Sequence, residues 1–141
     1  MPIGRRLALT AKTVGSAFNS ALSGQGGSVP AWLILSALKN GQWSTQLDLA
    51  RSLAIEGPTL TRHLDNLERA GLVRRVASEA DRRAVRVEIT EAGEEAHQRM
   101  WSAVGAFNRQ LASGMGKDDL REFERVLGRL EDNARASMRA G

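Results

Sequence analysis

Cysteine is missing from all 141 residues, which excludes disulfides, thiolate switches and thiolate metal sites within this chain. A reducing cytoplasm is the compartment that this absence predicts. Tyrosine is also absent, and aromatic residues make up only 4%. The two histidines, His63 and His97, stand far apart on different segments without metal-ligand spacing, so neither a metal nor another cofactor is expected. No apolar run approaches the ~18 to 20 residues needed to span a bilayer. In the opening stretch MPIGRRLALTAKTVGSAF, Lys12 and the polar Thr10, Thr13 and Ser16 interrupt the apolar residues too early for a secretory core, so the stretch reads as an amphipathic helix with no membrane role. No nucleophile stands with a base, no phosphate loop occurs and no carboxylates pair, so the expectation is not an enzyme. Acidic residues are absent before Asp48, where Arg5, Arg6, Lys12 and Lys39 are present.

What is present is ordinary for a folded protein: 42% apolar and 26% charged residues. The length fits one unit under a prior of roughly 100 to 200 residues per domain. A net charge of +4 and a pI near 10.6 point to an acidic partner such as nucleic acid, although a solvated basic surface would give the same sum.

Apolar spacing then organises the chain. Ile3, Leu7, Ala11, Val14, Phe18 and Leu22 recur at threes and fours and predict a first helix, ended by the glycine-rich run at 24–28. Pro30 suits a first helical turn, and Trp32, Leu33, Leu35, Ala37 and Leu38 predict a second, largely buried helix stopping near Asn40 and Gly41. Thr45-Gln46-Leu47-Asp48 has the form of a capping box, and Leu47, Ala50 and Leu53 predict one face of a short third helix. Pro58 opens a fourth, which runs to Ala70 and is closed by Gly71.

From Leu72 the period drops to two. Val73 and Val76 lead into a charged cluster, and Val85, Val87 and Ile89 lead away from it, which predicts a β-hairpin. Thr90 is a candidate cap for a long helix with Ala96, Met100, Val104, Phe107 and Leu111 along its seam. A last helix starts near Lys117, with Leu120, Phe123, Leu127 and Leu130 as its stripe.

Two helices joined by a tight turn and followed by a two-stranded hairpin describe a winged helix-turn-helix. The expected fold class is mostly α with a small β-hairpin wing (α+β). The flanking helices carry more apolar surface than a small winged helix can cover, so terminal regions 1–25 and 96–141 are expected to dimerise around a DNA-binding lobe at 30–90.

Within the fourth helix, Leu60, Leu64 and Leu67 should face the core and leave Thr59, Arg62, His63, Asn66 and Arg69 outward. Thr59 and Arg62 lie in the first half, the part that enters the major groove in this motif, where an Arg can pair with guanine O6 and N7. His63 joins the expected groove set, and Thr45, Gln46, Thr61 and Arg75 are the expected DNA-backbone contacts. Between Pro58 and Ile89 seven arginines face five acids. Their placement matters more than their sum, because arginines at a protruding tip reach phosphates or a narrow minor groove. Asp81, Arg82, Arg83 and Arg86 form the expected wing set.

The run Leu60-Thr61-Arg62-His63-Leu64-Asp65-Asn66-Leu67-Glu68-Arg69-Ala70-Gly71-Leu72-Val73, followed by Asp81-Arg82-Arg83-Ala84 and Ile89-Thr90-Glu91-Ala92-Gly93, resembles the MarR/SlyA family of bacterial transcription regulators. The specific motif spans Leu49 to Gly93, and the helix order covers nearly the whole chain. The resemblance implies a homodimer on a roughly palindromic operator in double-stranded DNA, acting as a repressor. It maps groove reading to Pro58, Thr59 and Arg62, minor-groove entry to Arg83, and the Asp that aims a wing arginine to Asp81. It further implies a small aromatic or phenolic acid effector near Lys12, Trp32 and Ser36. Absence of cysteine departs from the peroxide-sensing branch, and two lone histidines depart from the zinc-sensing one. Two other readings fit the same pattern, a winged-helix protein-interaction module and a ligand-independent architectural DNA binder. Which arginine Asp81 aims stays open.

Overall fold

The computed structural model describes residues 1–41, 45–77 and 84–141. Its elements in order are α1 (Ile3–Ser23), α2 (Val29–Lys39), α3 (Gln46–Leu53), α4 (Gly57–Arg69), β1 (Val73–Ala77), β2 (Val85–Ile89), α5 (Glu91–Leu111) and α6 (Lys117–Ala140). This is a winged helix-turn-helix, mostly helical with one antiparallel hairpin among the described residues. The chain divides into two compact units, Met1–Phe107 and Asn108–Gly141. Among the described residues no helix is long and apolar enough to cross a membrane.

Local chemistry sets the element ends. The Ser28 hydroxyl accepts from the Ala31 amide at 3.2 Å and caps α2, with Pro30 inside the first turn where a missing N–H costs nothing. The Thr45 hydroxyl does the same for α3, accepting from the Asp48 amide at 3.1 Å. α4 ends in a Schellman turn. Gly71 takes φ +78°, its N–H donates to the Glu68 carbonyl, and the Leu72 N–H donates to that of Leu67, so the turn aims the chain directly into β1.

The hairpin pairs Val73 with Ile89, Arg75 with Val87 and Ala77 with Val85. Those six residues share one face, and Val87 and Ile89 pack against the core beside fully buried Val73. Thr90 then joins the wing to α5. Its hydroxyl donates to the Gly71 carbonyl at 2.6 Å and accepts from the Gly93 amide at 3.0 Å, while its own N–H donates to the Leu72 carbonyl.

The core of the first unit is built from Leu22, Ile34, Leu35, Leu49, Leu60, Leu64, Val73 and Met100, with Phe18 stacked on Phe107 at its margin. Each such side chain contributes roughly 1.5 to 3 kcal/mol on leaving water. Three expected core positions are corrected. Leu33 is exposed because Ile34 and Leu35 take the inward face of α2, and Leu47 is exposed because Leu49 and Ala50 take that of α3. Val85 is exposed at the loop end of the hairpin, paired with Ala77 and beyond the part that reaches the core.

In the second unit, the Asp119 carboxylate accepts from the Gly116 amide at 3.0 Å and caps α6. No residue of α6 is buried, and Phe123 and Val126 stand exposed among arginine–glutamate pairs such as Arg135–Glu131.

Candidate nucleic-acid interface

α4 is anchored by Leu60, Leu64 and Leu67, and this inward row decides what faces outward. Arg62 is exposed on the first half of the helix, with Pro58 exposed and Thr59 and His63 half-buried nearby. Arg62 has no hydrogen-bond or ion-pair partner among the described residues. Every other described arginine between Pro58 and Ile89 has one: Arg69 bonds to Asn66, Arg75 to Asp65 and Glu68, and Arg74 and Arg86 share Glu88 at 3.5 and 2.9 Å. A cation held on a rigid helix without a carboxylate to release is the one best placed to bond a base edge.

Gln46 and Thr61 are brought together. The Gln46 amide donates to the Thr61 hydroxyl at 2.9 Å, and that hydroxyl donates to the Gly57 carbonyl at 3.0 Å, bracing α3 against the start of α4. With Thr45 they line a cleft of about 530 Å³ whose far side is formed by Ala84 and Val85 of the wing. The wing set is only partly described: Arg86 lies on the outer face of the hairpin, whereas Asp81, Arg82 and Arg83 lie outside the described residues.

Arg75, expected on the DNA backbone, is engaged within the protein. Its Nη2 lies 2.5 Å from an Asp65 oxygen and 2.9 Å from a Glu68 oxygen, and its side chain is only 21% exposed. Hydrogen bonds from Arg75 hold the Glu68 carboxyl below its ordinary value, and the same bonds raise Arg75. Its partners are carboxylates of the protein, and alternation along β1 puts it on the inner face with Val73.

Trp32 and Ser36 come together around His97, a residue to which the sequence assigns no role. His97 is buried on α5, stacked on Trp32 at 4.8 Å with planes 10° apart, and its Nε2 lies 3.1 Å from the Ser36 hydroxyl. Its Nδ1 is buried without a partner among the described residues, and Trp101 lies 6.2 Å away, centroid to centroid. Burial pushes the imidazole below its ordinary value, Lys39 adds to the effect and Glu94 opposes it. Lys12 is exposed on α1, and no hydrogen bond or ion pair joins it to this cluster among the described residues. The spacing held a signal: Trp32 and Ser36 are four apart on one helix, and His97 and Trp101 four apart on another.

A family model for MarR matches residues 28–85, which spans the helix-turn-helix and the start of β2. The transcriptional regulator PA3341 is 32% identical, with a TM-score of 0.75 over 96% of this chain and 99% of that one. The chain belongs to the MarR family. Members are DNA-binding transcription regulators rather than enzymes. This MarR-family chain is also 27% identical to the M. tuberculosis regulator MOSR, solved in complex with DNA, with a TM-score of 0.76 over 97% of this chain and 98% of that one. An E. coli MarR mutant complexed with operator DNA shares the fold, with a TM-score of 0.82 at 24% identity, covering 92% of this chain and 94% of that one.

Proposed function

We propose that this chain is a sequence-specific regulator that binds a roughly palindromic operator in double-stranded DNA as a homodimer and represses the adjoining gene. The observation that carries this reading is Arg62, exposed and unpaired among the described residues on the first half of α4, next to a hairpin edged with arginine. In this reading Pro58, Thr59, Arg62 and His63 meet the major groove, Thr45, Gln46 and Thr61 approach the backbone, and Arg86 with the tip residues 81–83 forms the wing contact. The DNA complex of MOSR supports the same use of the fold.

Residues 30–90 serve as the DNA-binding lobe, and 1–25 with 96–141 serve dimerisation. Ile3 and Leu7 on α1 and Phe123 and Val126 on α6 are exposed apolar side chains that a second copy would cover. A small aromatic or phenolic acid that releases the protein from DNA would be held near Trp32 and Ser36, where indole and imidazole rings already stack.

The test is selection of bound duplexes from a random pool with purified protein, followed by titration of the winner and a scrambled duplex across salt. Preference for a two-fold symmetric site, with a steep salt dependence, is the expected result. Equal affinity for both duplexes identifies a ligand-independent architectural binder instead, and failure to bind any duplex at low salt identifies a protein-interaction module.

A further inference from the structure

We propose that Arg75 is a positioning residue for DNA binding, which ties the wing to the base-reading helix through Asp65 and Glu68 and thereby sets where Arg86 meets the duplex. This rests on the DNA-binding reading above.

Arg75 is the charged residue of an inner hairpin face otherwise made of Val73, Ala77, Val85, Val87 and Ile89. Its guanidinium turns onto α4 and bonds two carboxylates one helical turn apart. Glu68 grips it twice. One of its oxygens accepts from Nη2 at 2.9 Å, and the other accepts from the Arg75 main-chain N–H at 3.0 Å. One carboxylate therefore fixes both the backbone and the side chain of a single β1 residue.

Asp65 and Glu68 lie three and six residues beyond Arg62 on the same helix, so the clamp sets the spacing between base reader and wing. Both carboxylates are nearly half exposed, and exposed pairs contribute little to stability. Geometry is the larger effect here. The side-chain charges also favour it over a direct phosphate role, since a phosphate would have to displace two protein carboxylates.

The sign of one substitution separates the two roles. Glu68→Gln removes a negative charge beside the DNA, which by electrostatics alone strengthens binding and frees Arg75 for a phosphate. Under the positioning role it weakens binding, because one amide oxygen cannot serve both the main-chain N–H and the guanidinium. Arg75→Lys keeps the charge, yet a compact ammonium lacks the fork that spans two carboxylates.

The experiment footprints the selected duplex with full-length wild type, Glu68→Gln and Arg75→Lys. Dimethyl sulfate protection reads guanine N7 under α4, hydroxyl-radical protection reads the flanks under the wing, and thermal melts run alongside. Both variants are expected to bind about fivefold more weakly. They should lose flank protection while keeping guanine protection. Wild-type or tighter affinity of Glu68→Gln with an intact flank footprint overturns the proposal and makes Arg75 a direct contact. Equal loss of both protections with a lowered melt overturns it too, since that marks general destabilisation. A wild type that protects no duplex overturns the DNA-binding reading itself, which the wild-type lane alone reveals.

Discussion

The imidazole of His97 lies flat on the indole of Trp32, 4.8 Å between centroids, with one ring nitrogen near Ser36 and the other buried without a partner among the described residues. A cation in that place loses its hydration and meets Lys39, so the fold favours the neutral ring. An unfolded chain titrates His97 at its ordinary value of 6.5, and the folded chain titrates it lower. Below about pH 6.5 the unfolded state therefore takes up a proton that the folded state resists, so this contribution is present above that pH and lost as pH falls. Thermal midpoints are expected to drop between about pH 7.5 and 5.5. His97→Gln, which keeps a hydrogen-bonding group near Ser36 and cannot titrate, should flatten that slope. An unchanged slope in the variant removes His97 as its source.

The junction of wing and α5 makes a second prediction. A Cβ on Gly93 would lie 2.1 Å from the Leu72 carbonyl oxygen and 2.8 Å from the Ile89 side chain. Alanine normally favours a helix over glycine by about 1 kcal/mol, so propensity alone would have Gly93→Ala stabilise α5. Steric exclusion by a backbone atom is the larger effect, and about 3 kcal/mol of destabilisation is expected. Chemical denaturation decides the sign, and a more stable variant would mean that the hairpin turn does not hold α5 this closely.

Much of this architecture was legible in the sequence because it depends on local periodicity. Leu60, Leu64 and Leu67 are spaced so that only one helical face can hold them, and Thr45 and Thr90 stand where orphan amides need an acceptor. Leu33 and Leu47 misled because each stands beside better-placed apolar neighbours, and only packing decides which of two adjacent faces turns inward. The Arg75 clamp depends on tertiary register. Arg74 and Arg75 look alike in sequence, and parity with buried Val73 is what sends one outward to Glu88 and the other inward to α4. His97 by itself carries no sequence signal for a related reason: a single histidine suggests no metal, and its partners come from a helix about sixty residues earlier.

Exposed Phe123 on α6 gives a prediction about assembly. Placing Phe123→Arg on this face adds a charge where a second copy would bury an aromatic ring, and such a charge without a partner costs several kcal/mol in an interface, on the order of a thousandfold in dimer dissociation. Sedimentation at micromolar concentration is expected to show a dimer for the wild type and a monomer for the variant, with α-helical content unchanged. A variant that still sediments as the wild type does would take Phe123 out of the interface.

Arg62 is the sharpest test of base reading, because among the described residues it is the arginine on α4 with no hydrogen-bond or ion-pair partner, whereas Arg69 is held by Asn66. Arg62→Ala is expected to cost about 1 to 3 kcal/mol on the selected duplex and to relax preference at one guanine-containing position in each half-site. On scrambled DNA only the loss of one positive charge per protomer remains, which shifts the salt slope by about 0.9 per protomer, about 1.8 for a dimer, and leaves base preference untouched. Arg62→Lys separates the two contributions, since lysine restores the charge and not the two parallel hydrogen bonds to guanine O6 and N7. Lysine should therefore recover the scrambled-DNA affinity and the salt slope while the selected duplex stays weakened. Full recovery on both duplexes would reduce Arg62 to a phosphate contact, and base reading would then have to come from Thr59 or His63 on the same face.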